Sequence, residues 1–216
     1  FADDEPDAAL TNLQFAIQKL TNETHQVDAR YLLAHLLKSD QPETAAKHLE
    51  VVIATELELD FRDEATLELA RLLIELENPA EAQKHLETLV ESKNEAIRDE
   101  ALVRAGGLAL EAGDGEKGRQ LLTTALENGT SEEWKSIAQL DLLLDANERE
   151  NWAEVVRLHD LKPLPIEGEQ KAQIQLVVAH AAQQNGQLEV AFERFSKLAA
   201  EHRETSPGTQ AGFQRL

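Results

Sequence analysis

With 216 residues, 42% of them apolar, the chain is long enough to bury a core and too apolar for disorder, and it reads as a single domain over 1–216. Its 41 acidic against 21 basic residues give a formal charge of −20, which repels nucleic-acid phosphates and anionic membrane surfaces and favours a basic partner. Cysteine is absent, which excludes disulfides, thiolate nucleophiles and cysteine-ligated metals.

No apolar run approaches the ~20 residues that span a bilayer, and no signal-peptide pattern opens the chain. It begins at Phe1 and holds no methionine, as expected of a processed product or excised segment, so periplasmic and cytoplasmic settings both stay open. Ala, Leu, Glu and Gln dominate, Pro and Gly are few, and aromatics make up 4%. Helix is therefore expected throughout, with a core of Leu, Ala and Val.

In chain order, 1–22 is expected to be the second helix of a truncated repeat. Helix-turn-helix repeats follow at 23–60, 61–97, 98–130, 131–168 and 169–205, and 206–216 opens a further helix. The register comes from laying the chain on itself: TAAKHLEVVI (44–53) aligns with EAQKHLETLV (81–90), 37 residues on. Extended, it places a small or β-branched residue at Ala9, Ala45, Ala82, Gly118, Val155 and Ala191, at spacings of 36 and 37. Four residues later stand Leu13, Leu49, Leu86, Leu122, His159 and Phe195, and three further on Ala16, Val52, Leu89, Ala125, Lys162 and Leu198. Offsets of four and seven put each trio on one helical face. Only the fifth trio, with His159 and Lys162, is polar.

Turn signals precede these helices at Gln41-Pro42, Asn78-Pro79, Gly113-Asp114-Gly115, Asn151-Trp152 and Asn185-Gly186. The helices before the turns carry Leu32, Leu69, Ala105, Leu142 and Val178, each followed by Leu33, Ala70, Gly106, Leu143 or Ala179. Between repeats, Thr130 and Glu133 are expected to form a capping box.

The unit from Ala101 to Ala125 (ALVRAGGLALEAGDGEKGRQLLTTA) resembles the tetratricopeptide repeat (TPR), with Gly106, Gly113, Asp114, Gly118 and Ala125 in matching places, and the resemblance extends along the whole chain. It departs from that family in its 36–37-residue period and in having Leu36, Leu73, Ala109, Ala146 and Ala182 where a large aromatic is usual. The resemblance implies an all-α fold, a right-handed α-α superhelix (TPR-like solenoid) of about five and a half repeats.

Catalytic motifs do not stand out. GDGEKG matches GxGxxG literally, at Gly113, Gly115 and Gly118, but a helix rather than a strand precedes it and two carboxylates would face a phosphate. None of the seven histidines falls at a metal-ligand spacing, and the equivalent pair His48 and His85 is read as shared repeat ancestry. The acidic run 56–64 lacks calcium-loop grammar. The expectation is no catalysis, no metal and no cofactor.

The resemblance implies a concave groove lined by the first helix of each repeat. Three stripes map onto it: Arg30, Leu67, Val103, Leu140 and Leu176; Ala34, Arg71, Gly107, Leu144 and His180; Leu37, Ile74, Leu110, Asn147 and Gln183. The family's carboxylate clamp is not expected, since Arg30 and Arg71 lack partner asparagines. The expected partner-binding groove is therefore Arg30, Leu67, Arg71, Val103, Leu140, Leu144, Leu176 and His180, taking a basic, amphipathic protein or peptide segment. This makes the chain an interaction scaffold, or alternatively the helical-repeat part of a larger enzyme or envelope assembly. End-to-end self-association through uncovered terminal helices is a further expectation.

Overall fold

The computed structural model describes residues 4–201 together with Pro207, Gln210 and Ala211, with side chains from Ala9 onward. Among the described residues there are eleven helices and no strand: α1 (Asp4–Lys19), α2 (Glu23–Leu37), α3 (Pro42–Ala54), α4 (Arg62–Glu75), α5 (Pro79–Leu89), α6 (Glu95–Glu111), α7 (Gly115–Asn128), α8 (Glu132–Glu148), α9 (Trp152–Leu161), α10 (Gly168–Gln184) and α11 (Leu188–Glu201). The fold is all-α helical-repeat packing, each helix against the next, within two compact units that meet at Gly113 and Asp114. Unit 1 holds α1 to α6 and unit 2 holds α7 to α11. The further helix expected over 206–216 falls mostly outside the described residues; Pro207, Gln210 and Ala211 are helical.

The repeating trio builds the core. Ala45, Leu49, Val52, Ala82, Leu86, Leu89, Leu122, Ala125, Ala191, Phe195 and Leu198 are all buried. His159 in α9 and Lys162 just past its end are only half-buried, and Val155, Val156 and Leu158 carry the packing instead. The small series on the preceding helices is likewise enclosed at Leu33, Ala70, Gly106, Leu143 and Ala179. Leu32 and Leu36 of α2 are exposed, unlike their equivalents Leu69 and Leu73 of α4.

Helix ends follow side-chain capping. Asn22, Asn94, Asp114, Ser131 and Asn151 each accept a hydrogen bond from a backbone N–H of the first turn. The cap of α8 is thus Ser131 Oγ, accepting from Trp134 N, rather than the expected Thr130. Asn94 starts α6 at Glu95, ahead of a repeat boundary drawn at 98. The 55–61 connection is held by Arg62, whose guanidinium donates to the carbonyls of Ile53, Thr55 and Leu57 at 2.5, 2.9 and 2.5 Å.

The turns inside the repeats share one backbone conformation. Glu77, Gly113, Glu150 and Gly186 have φ of 56°, 85°, 56° and 77°, and they recur at the period of the array. At three of them the next residue's N–H bonds back across the helix end, Asn78 to Leu73 O, Asn151 to Ala146 O and Gln187 to Ala182 O. Glycine enters the left-handed region freely, whereas a glutamate is strained there by roughly 1–2 kcal/mol. Glu77→Gly and Glu150→Gly are therefore expected to stabilise the fold by about 0.5–1 kcal/mol each, after the larger unfolded-state entropy of glycine is subtracted. Chemical denaturation of each variant reads this directly, and a lower urea midpoint contradicts it.

Candidate functional site

The predicted groove residues have different surroundings in the two units. In unit 1, Leu67 and Val103 are buried, at 6% and 3% exposure, so they do not line an exposed apolar groove. The physical reason is that α4 and α6 pack directly on one another, and that contact is closed by charge. Arg71 of α4 donates from Nε and NH2 to the two carboxylate oxygens of Glu100 on α6, at 2.7 and 2.5 Å. Arg104 Nε adds a bond to the same carboxylate at 2.6 Å, while Glu68 accepts from Arg71 at 3.2 Å and from Lys38 at 2.6 Å.

The result is a ladder, Lys38–Glu68–Arg71–Glu100–Arg104, across the first helices of unit 1. Burial alone disfavours the charged carboxylates. The hydrogen bonds from Lys38 and Arg71 nevertheless hold Glu68 below the ordinary glutamate pKa, and those from Arg71 and Arg104 do the same for Glu100. Arg30, half-buried on α2, turns to α3, with NH1 3.3 Å from His48 Nδ1. Burial first and Arg30 second lower the pKa of His48, so its imidazole stays neutral and accepts from the guanidinium. Arg30 and Arg71 are thus both engaged inside unit 1.

Unit 2 presents a different face. On α8, Leu144 is 39% exposed and Leu140 half-buried one turn before it; on α10, Leu176 and His180 are half-buried. The i, i+4 spacing aligns each pair along its helix. Leu176 and His180 line a cavity of about 390 Å³ together with Asn147, Trp152, Val177 and Gln210. Trp152, the first residue of α9, meets His180 edge to face with ring centroids 5.8 Å apart. Four of the eight predicted residues, Leu140, Leu144, Leu176 and His180, are therefore partly exposed on the first helices of unit 2. Trp152 was not among them, although its place beside the Asn151 turn was visible in the sequence.

Among the described residues no group of three or more His, Asp or Glu is placed to hold a metal ion. The Gly113–Gly118 motif is a turn: Gly113 closes α6 in a left-handed conformation, and Asp114 caps α7 by accepting from Lys117 N. A Cβ on Gly115 would stand 2.7 Å from the Arg119 guanidinium, which lies over this turn. No helix among the described residues is long and apolar enough to cross a membrane.

The packing of successive helix pairs is shared with solved structures. Pseudomonas aeruginosa PilF, a TPR-containing protein, matches with a TM-score of 0.63 at 13% identity, covering 98% of either chain. This chain has a TPR-like helical-repeat fold. BtubC (BKLC) from P. vanneervenii matches at a TM-score of 0.57 and 13% identity over 95% of either chain. No family model and no curated protein matches the sequence. At such identities the likeness concerns the fold, and a function has to be argued from the site.

Proposed function

We propose that the chain is a protein-interaction scaffold that seats a basic amphipathic segment of a partner on the first-helix face of unit 2. The observation that carries this reading is the partly exposed side chains Leu140 and Leu144 on α8 and Leu176 and His180 on α10, the latter two lining a cavity with Trp152. Tryptophan in a partly open pocket supplies large contact area at low entropic cost, as in the anchoring pockets of interfaces. Exposed Glu148 and Glu150 border the row at the end of α8, and the chain carries −20 overall, which favours a cationic rim on the partner. Helical repeats stack into extended surfaces suited to such a role, and PilF shows that the fold recurs in a TPR-containing protein.

A designed amphipathic Leu/Lys peptide, with its scrambled sequence as control, tests the reading by fluorescence of the tryptophans. The double substitution Leu144→Glu, Leu176→Glu is expected to weaken binding by about tenfold or more, since two apolar anchors become charged. Both positions are partly exposed, so circular dichroism should be unchanged. Equal affinity of the variant and the parent, or of the ordered and scrambled peptides, defeats the proposal.

A further inference from the structure

The chain holds two Asn-Gly pairs, Asn128-Gly129 and Asn185-Gly186. In that dipeptide no side chain on the second residue shields its amide nitrogen, which can attack the asparagine side-chain carbonyl and expel ammonia. The dipeptide chemistry is the same at both places, so the fold decides which of them reacts.

Their surroundings differ. Asn128 is the last residue of α7; its side chain is exposed, but Gly129 is buried and donates its N–H to Ala125 O at 3.0 Å, continuing the helical ladder. Asn185 lies just past the end of α10, in the turn to α11, with φ −80° and ψ 4°. Residues 183–190 are all exposed, the longest such run among the described residues. Gly186 takes a left-handed φ of 77°, and a Cβ built on it would meet nothing within 4 Å, so water and base reach its backbone from open solvent.

The Gly186 N–H donates to Gln183 O at 3.1 Å. Attack on Asn185 Cγ requires that bond to break and the Asn185 ψ to swing away from 4°, so the reaction runs through local opening of the turn. An exposed turn opens at little cost. Opening the end of α7 instead breaks a helical bond and uncovers Gly129.

We propose that Asn185 is a site of spontaneous deamidation, through a cyclic imide formed with Gly186, and that the fold protects Asn128. A base takes the Gly186 amide proton, and the nitrogen bonds to Asn185 Cγ. The Cγ–Nδ2 bond breaks, and the nitrogen leaves as ammonia with that proton. Water then opens the imide, at Cγ to give aspartate or at the Asn185 backbone carbonyl to give isoaspartate, in which the main chain runs through Cγ. Water is consumed, ammonia is released, and nothing is oxidised or reduced.

Both products weaken the α10–α11 turn. The new carboxylate stands at the carbonyl end of α10, where the helix dipole opposes it. Isoaspartate also lengthens the main chain by one carbon, inside the turn that the Gln187 N–H closes on Ala182 O at 2.9 Å. The pairing of α10 with α11 therefore loosens as the protein ages.

Peptide mapping by mass spectrometry of the folded protein, held at mildly alkaline pH beside the guanidinium-unfolded chain, provides the test. In the folded protein the Asn185 peptide should gain one mass unit about tenfold or more faster than the Asn128 peptide, the ratio given by a difference of about 1.4 kcal/mol in opening cost. In the unfolded chain the two should convert at similar rates. Isoaspartyl methyltransferase should label the aged folded protein, and Asn185→Gln should remove most of that label, since glutamine closes the imide far more slowly. Hydrogen exchange should rise in α10 and α11 of the aged protein and not in α2 to α6, with no rise in aged Asn185→Gln. Conversion of Asn128 as fast as Asn185 in the folded protein overturns the proposal. So does a folded Asn185 that stays intact while the unfolded chain converts, or unchanged exchange in fully converted protein.

Discussion

Replacing Leu86 with Ala should destabilise unit 1 by about 2–5 kcal/mol, because the side chain is fully enclosed and its removal leaves a cavity as well as lost burial. Leu86 lies on α5, between α4 and α6, so the lesion loosens the contacts of α5 with both. In a repeat array each helix pair is supported chiefly by its neighbours, and an internal defect lowers the cooperativity of the elements on either side. Hydrogen exchange should accordingly rise across α4 to α6. Phe195→Ala removes a larger buried side chain, but from α11, whose major packing partner is α10. Its effect should concentrate in α10 and α11. Equal protection loss throughout unit 2 in that variant, or no loss at α4 and α6 in Leu86→Ala, argues against neighbour-limited stability.

The core positions were legible because they recur. Ala45, Leu49 and Val52 reappear as Ala82, Leu86 and Leu89, and no single misreading breaks a series of that kind. The fold class followed from the same series, since a helix pair that buries one face alone must stack to bury the rest. The groove was less legible, because exposure on a first helix depends on how closely its neighbour approaches. Leu67 and Leu140 are the same residue type at equivalent places in the register, yet Leu67 is buried in unit 1, where α4 and α6 touch directly, while Leu140 is only half-buried. The ladder that closes unit 1 links residues about 30 apart in sequence, such as Lys38 with Glu68 and Arg71 with Glu100. Among many carboxylates no pattern singles out those two. The left-handed turns show the limit from the other side: Gly113 and Gly186 announce the conformation, whereas Glu77 and Glu150 adopt it against their own preference because the repeat demands it.

The ladder and the half-buried histidines His48 and His85 also set the response to acid. His48 has its pKa lowered by burial and then by Arg30; for His85 burial outweighs the opposing pull of Glu81 and Glu50. A histidine held neutral in the fold contributes stability that is complete above its ordinary value of 6.5 and is lost as pH falls from there through the folded value. Glu68 and Glu100, held below their ordinary 4.5 by their cationic partners, contribute stability that is complete above that value and lost as pH falls through their folded values. Unit 1 should therefore weaken in two stages on acidification, the first beginning near pH 6.5 and the second below about 4.5. His48→Gln should flatten the first stage. Glu100→Gln removes the charged acceptor shared by Arg71 and Arg104, and should cost about 2 kcal/mol at neutral pH, because both guanidiniums are partly exposed and rehydrate. Because the lost charge no longer titrates, its stability curve should converge on that of the parent protein as pH falls through the second stage. Urea midpoints measured from pH 7 to pH 3 separate the two contributions, and parallel curves for parent and Glu100→Gln across that range contradict the role assigned to the ladder.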